Sequence, residues 1–397
     1  MKGDSAHIIG WSAYLCCSWM WCIGLFYPVL LYRDFGIASW FIFTIPNVVG
    51  ASLVPWFIKN AQSSKDFVRH HSLACKLFSA VTILFNTYFL SWTMVSFDLS
   101  VPTILFVILI SFFVFLICRT RLLAISLTVF LISLCALLLI FLLTQGTGLT
   151  IARESKFGIS EALGLVPVFL IGFLFCPYLD LTFHRVVKES QHSQTKLIYI
   201  IAFIIFFLSF LMLGVKYYPL ISHVLIGVNE QPKTSVFLAV CSYIIIQSSF
   251  TSIVHLNELL EQKLPKFAWV LLICILVCVF VCAVGVNGEI TLLGRTMHLR
   301  EILYRGFLSV YGLLAPVYIW IFALFKFDKS QPYIMDERRW FIWLIAVLLA
   351  LPFYIAGFYG SSRLSMYILP IGVLLALLTP MIVQLTLRFF LGTKSDK

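Results

Sequence analysis

Charged residues are scarce in this chain: 11% of its 397 residues are Asp, Glu, Lys or Arg, against about 25% in an ordinary soluble domain. That shortage excludes a water-facing surface over most of the molecule. Acidic groups are scarcer still, 17 against 28 Lys and Arg, for a formal charge of +11. The sequence also lacks a soluble-looking stretch long enough to be a domain, a low-complexity tract, and any Cys or His series at metal-ligand spacing. It has no paired carboxylates, no His cluster and no nucleophile elbow, so the convergent polar groups of an enzyme are missing and the chain reads as not an enzyme. The eleven cysteines are scattered, mostly inside apolar stretches, as with Cys16, Cys17, Cys274 and Cys282, where thiols act as small hydrophobes.

What is present is hydrophobicity. Apolar residues make up 61% of the chain and the mean hydropathy is +1.02. One aqueous core cannot absorb that surface, so lipid is the expected solvent. A helix crossing the hydrocarbon needs roughly 20 apolar residues. About twelve runs satisfy this: 8–32, 36–58, 72–96, 100–118, 121–144, 161–186, 196–216, 235–257, 266–287, 301–326, 339–359 and 366–388. The first follows a short polar start and leads straight into the second, so it reads as a retained helix rather than a cleaved signal. Lys and Arg favour one set of loops over the other by about two to one, which predicts an even number of spans with both termini cytoplasmic. The expected fold is therefore an all-α, multi-pass integral protein of the cytoplasmic or inner membrane. The basic excess sits in short loops, as membrane orientation requires, and does not suggest nucleic acid. The longer connections, 145–160, 217–234 and 288–300, read as connectors or as lids over a pathway.

Two runs are interrupted by chemistry unsuited to a plain spanning helix. The first carries Trp11-Ser-Ala-Tyr-Leu-Cys-Cys-Ser18-Trp19-Met20-Trp21-Cys-Ile-Gly24, with a hydroxyl, indoles and a glycine near its middle. The sixth carries Gly172-Phe-Leu-Phe-Cys176-Pro177-Tyr178-Leu179-Asp180-Leu-Thr182-Phe-His184-Arg185. Pro177 removes a backbone hydrogen bond, and Asp180 is the only carboxyl well inside an expected span, a functional candidate by default. The alternative is an ordinary kinked helix with Asp180 near its end, paired with His184 or Arg185. Interrupted helices five spans apart fit transporters built from two inverted repeats, which bind their cargo midway. On the eighth run, residues 248, 251, 252 and 255 share a face. The hydroxyls of Ser248, Thr251 and Ser252 suit a hard cation such as Na⁺, or else serve as glue between helices.

These residues together resemble a family. Gln247-Ser-Ser-Phe-Thr-Ser-Ile-Val-His255 is similar to the Ser-Ser-x-x-Ser segment in the eighth core helix of the sodium:solute symporters. Asp180-Leu-Thr-Phe-His-Arg185-Val-Val-Lys188 resembles that family's Gln-Arg-x-x-x-x-Lys stretch. Leu303-Tyr-Arg-Gly-Phe-Leu-Ser-Val-Tyr-Gly-Leu-Leu-Ala-Pro316-Val resembles its tenth core helix, and Tyr32-Arg-Asp-Phe-Gly36 its turn after the first. The resemblance implies a divergent member with about twelve transmembrane helices. It would have a LeuT-type core of two inverted five-helix repeats (1–144 and 161–326) and two trailing helices (339–388). It implies a Na⁺ site with hydroxyls from Ser248 and Ser249 and carbonyls from Cys17, Met20 and Ile245. It also implies a substrate site near Ser18, Trp19, Trp21, Tyr178, Asp180 and Phe307. An aromatic wall beside one carboxylate suits a small cationic or zwitterionic solute. The sequence departs from the family at Phe307, where the sugar-contacting glutamine is absent, at His184, and in the bulky residues of the first break. The expected function is an ion-coupled importer working by alternating access, with Na⁺ as the coupling ion, a small-molecule solute and the lipid bilayer as partners, and no organic cofactor. Proton coupling through Asp180, or a transporter-like sensor without coupling, are the alternatives that these departures raise.

Overall fold

A computed structural model describes residues 2–144, 157–219, 221, 234–325 and 335–391. The connections expected over 145–160 and 217–234 therefore lie largely outside the described residues. In chain order the helices are α1 (Lys2–Trp19), α2 (Cys22–Phe35), α3 (Ala38–Phe57), α4 (Ala61–His70), α5 (Ser72–Ser96), α6 (Val101–Cys118) and α7 (Leu122–Leu143). Next come α8 (Ile159–Tyr178), α9 (Leu181–Glu189), α10 (His192–Gly214), α11 (Thr234–Glu261) and α12 (Lys266–Gly285). A hairpin of β1 (Glu289–Leu292) and β2 (Arg295–His298) precedes α13 (Leu299–Leu324), α14 (Met335–Tyr359) and α15 (Arg363–Leu391).

Ten of these helices are long and apolar enough to cross a membrane, and α1 with α2 forms one further span bent by 53° at its break. The shorter α6 is apolar along its whole length. The apolar runs read from the sequence fall on these helices, the first divided between α1 and α2 and the sixth between α8 and α9, and the chain is a multi-pass integral membrane protein. Its outer faces carry bare hydrocarbon, such as Phe106, Phe113, Leu142 and Phe267, because lipid tails solvate apolar side chains as well as protein does. Association inside the bilayer therefore rests on close packing and hydrogen bonds rather than on escape from water.

The packing pattern is specific. Helix α11 lies against α5, α7 and α6; α1 lies against α7, α10 and α11; α8 lies against α3 and α13; α12 lies against α5; and α14 pairs with α15. Helix α12 is the least buried of the spans and lies at the rim. Close approach of α3 to α8 depends on Gly50, where a Cβ would come within 2.3 Å of the Phe173 carbonyl oxygen.

The hairpin was not expected. The stretch 288–300 reads in sequence as a connector or a lid, yet it forms an antiparallel pair with Thr291 opposite Thr296. Its turn, Leu293-Gly294, has φ of 51° and 76°, as a two-residue turn matched to strand twist requires. The helix α4 opens on an Asn60–Ser63 capping box, between the second and third apolar runs.

Candidate functional site

Both interruptions expected from the sequence are real, and they meet. In the first, α1 ends at Trp19 and α2 begins at Cys22, which frees backbone groups at membrane depth. Such groups must find partners there. The Cys17 carbonyl accepts from the Thr251 hydroxyl of α11 at 3.1 Å, and the Cys22 carbonyl from Tyr304 of α13 at 2.8 Å. Asn86 of α5 accepts from the Cys22 N–H at 3.3 Å. Side chains of three other helices thus hold the break open.

In the second, α8 closes in a 3₁₀ turn over Cys176–Tyr178, and Asp180 caps α9. One carboxylate oxygen, Oδ1, accepts from the Thr182 N–H at 2.8 Å and lies 2.7 Å from its hydroxyl. That hydroxyl is also 3.2 Å from Ser18 Oγ on α1, so the two breaks touch. The other oxygen, Oδ2, is buried with no hydrogen-bond partner and faces His255 Nε2 of α11 at 3.8 Å. His255 Nε2 is likewise unpartnered, while its Nδ1 bonds Ser79 of α5 at 3.1 Å. Asp180 and His255 are fully buried. A carboxyl at such depth needs a proton or a counter-charge, and the His255 ring is the titratable group that its free oxygen faces. The sequence reading offered His184 or Arg185 as the partner. Both are engaged elsewhere: His184 bridges Ser64 Oγ at 2.9 Å and the Tyr178 carbonyl at 2.8 Å, and Arg185 pairs with Glu258 and Glu261 of α11. Helix α11 runs past the expected end of its span and carries Glu258, a further buried carboxyl.

The residues expected to form a sodium site divide. Ser248 Oγ is buried and without a partner, whereas Ser249 Oγ accepts from Ser111 of α6 at 2.7 Å. Ile245 is half-buried among apolar neighbours, and the Met20 sulfur lies 2.9 Å from where a Cβ on residue 24 would stand. No group of three or more His, Cys, Asp or Glu suited to a metal occurs among the described residues.

The expected substrate residues divide too. Trp19 and Trp21 line a small cavity of about 40 Å³ walled by α2, α8 and α13. Ser18, Asp180 and Thr182 form the polar floor of the break and are not in that wall. Tyr178 turns to Phe57 and Phe67, and Phe307 stacks on Phe85 at 4.8 Å; neither lines the cavity.

Above the cavity lies an ion cluster that the sequence reading missed. Arg33 makes a bidentate pair with Glu301, both bonds 2.8 Å, and bonds Asp34 at 2.8 Å. Arg295 of β2 reaches the Asp34 carboxylate at 2.7 and 2.8 Å, and Arg305 of α13 bonds both Asp34 and Glu301. Burial, then the Arg305 guanidinium beside it, pulls the Arg295 pKa down from its usual value, and the two carboxylates hold its charge in place. The cluster ties α2, the hairpin and α13 together at one membrane face. At the other face, Arg185 with Glu258 and Glu261 ties α9 to α11.

Fold and site thus define a polytopic membrane protein with two broken helices meeting at a buried polar centre. Compared with family models, curated proteins and solved structures, the chain matches none, and the symporter resemblance stands on the motifs quoted above.

Proposed function

We propose that the protein is a secondary transporter that moves a small solute by alternating access, and that Asp180 with His255 carries the coupling proton. The observation that carries this reading is the contact between the two breaks, Ser18 to Thr182, directly beside the buried, unpartnered Asp180–His255 pair. Half-helices abutting at membrane depth are the usual setting of a transport site. The order along the pathway supports it: ion cluster, aromatic cavity, polar centre, second ion cluster. Each cluster joins helices that must part for one side to open, so the arrangement suits an occluded state.

The packing also supports a core of two five-helix repeats in the LeuT manner. Counting spans, the first packs with the fifth as the sixth packs with the tenth. The second packs with the sixth as the seventh packs with the first, and the third with the ninth as the eighth with the fourth. Helices α14 and α15, paired with each other, would then be the additional two. Sodium coupling is the second reading, favoured by the buried Ser248 hydroxyl that lacks a partner; the engagement of Ser249 with Ser111 weighs against it.

The test is uptake into proteoliposomes of a neutral-solute library under an imposed pH gradient or an imposed Na⁺ gradient. Accumulation that follows the pH gradient and is lost in Asp180→Asn is expected. Accumulation driven by Na⁺, retained in Asp180→Asn and lost in Ser248→Ala would overturn proton coupling in favour of sodium. A protein that accumulates nothing under either gradient is not a coupled transporter.

A further inference from the structure

Among the described residues, one buried cation makes no ion pair. Arg300, in the first turn of α13, is 8% exposed. The carboxylates of this membrane face are committed elsewhere. Glu301 is held by Arg33 and Arg305, Asp34 by Arg33, Arg295 and Arg305, and Glu289 of β1 faces His298. The Arg300 side chain has one bond: Nη2 donates to the Val284 carbonyl, in the last turn of α12, at 3.1 Å. Its Nε is sealed in without a partner. Its Nη1 also has no partner among the described residues, but it is not sealed, so that nitrogen reaches the surface.

The backbone fixes this placement, since Tyr88 of α5 donates to the Arg300 carbonyl at 2.8 Å. The end of α12 answers part of the charge. A helix C-terminus carries about half a negative charge, and a cation there bonds the last free carbonyls. The remainder is a partly uncompensated charge in a largely buried position, which is costly until an anion meets it.

The surroundings say what that anion is attached to. Arg300 stands where the ends of two spans, α12 and α13, meet. One turn further into α13, Leu303 is exposed. On α12, Val281 and Val277 lie about one and two turns before Val284, and both are more than half exposed. Beside them, a Cβ on Gly285 would have nothing within 4 Å. A bare apolar track thus begins within a turn of the guanidinium on both helices, with open space at its head.

We propose that Arg300 holds the phosphodiester of an anionic phospholipid where α12 and α13 meet, with the acyl chains along Val277, Val281 and Leu303. The guanidinium fork matches phosphate oxygens, and basic sites between spanning helices are a recurrent form of headgroup recognition. The site is separate from the Asp180 centre and does not depend on the transporter reading.

Native mass spectrometry of the delipidated full chain tests this, with phosphatidylglycerol titrated against diacylglycerol of the same acyl chains. The first bound phosphatidylglycerol should be about tenfold tighter, the worth of a hydrogen bond to a charged group. Arg300→Met should remove that advantage and leave diacylglycerol binding as it was. Arg121→Met, beside Arg185 at the opposite face, should keep it. Added inorganic phosphate should not displace the lipid. Equal binding of the two lipids overturns the proposal, and the wild type alone decides this should Arg300→Met fail to fold. A preference retained in Arg300→Met, or lost equally in Arg121→Met, overturns it as well. Displacement by phosphate would make Arg300 a site for a free anion and also overturn the lipid assignment.

Discussion

At the residue scale, helix phase decides what spacing cannot. The face shared by residues 248, 251, 252 and 255 was legible in the sequence, but the partners were not, because each lies on another helix. Thr251 meets the Cys17 carbonyl, His255 meets Ser79, and Ser249 leaves for Ser111. Asp180 was legible as a lone carboxyl in an apolar run; its counterpart, His255, stands 75 positions away, and spacing alone does not join the two. Single atoms also set how close helices come. Gly50→Ala should lower the thermal midpoint, at a cost of about 1–3 kcal/mol for overpacking, since its Cβ would meet the Phe173 carbonyl at 2.3 Å. Gly285→Ala, with nothing within 4 Å, should be neutral or slightly stabilising through helix propensity. Equal shifts in the two variants, measured by fluorescence-detected melting, would show that the α3–α8 approach is looser than described.

At the element scale, the long helices were the easy part. Apolar length is a local property, and the runs read from it fall on helices. The hairpin was hidden because its ten residues are too few and too mixed for periodicity, although Leu293-Gly294 between two alternating segments carries a turn signal. Gly294 sits at φ of 76°, where a β-branched residue is strained. Gly294→Val should therefore unseat β2 and draw Arg295 out of the cluster. Arg295→Met removes the same charge directly and leaves Asp34 held by Arg33 and Arg305. Both variants should destabilise less than Asp34→Ala, which leaves Glu301 alone to balance three guanidiniums; breaking a buried pair costs about 3–5 kcal/mol. A melting series in which Arg295→Met equals or exceeds Asp34→Ala would show that the hairpin, not the α2 carboxylate, is the hub.

At the scale of the whole molecule, the transporter proposed here would have its two ion clusters as the closures of its pathway, and the chain carries its own reporter between them. Cys176 lies in the cavity wall and is buried. A membrane-impermeant maleimide should leave Cys176 unmodified in the wild type and label it several-fold faster in Asp34→Asn, which weakens the cluster above; peptide mass spectrometry reads the site. Labelling at Cys176 that is equal in both proteins would mean that the cluster is not what closes the cavity. None of this closure was legible in advance, since Arg33 and Glu301, or Arg295 and Asp34, are brought together only when the ends of the first and tenth spans meet.

Helix α13 contains two π-helical turns, Val310–Leu314 and Trp320–Leu324, on either side of Tyr318. A π turn holds about one residue more than an α turn. If such a turn relaxes to α geometry, every residue beyond it rotates about 100° around the helix axis. The wall of the cavity can therefore turn like a key in its lock: Tyr311 could be withdrawn and another side chain presented with no helix sliding and no backbone hydrogen bond left permanently unmade.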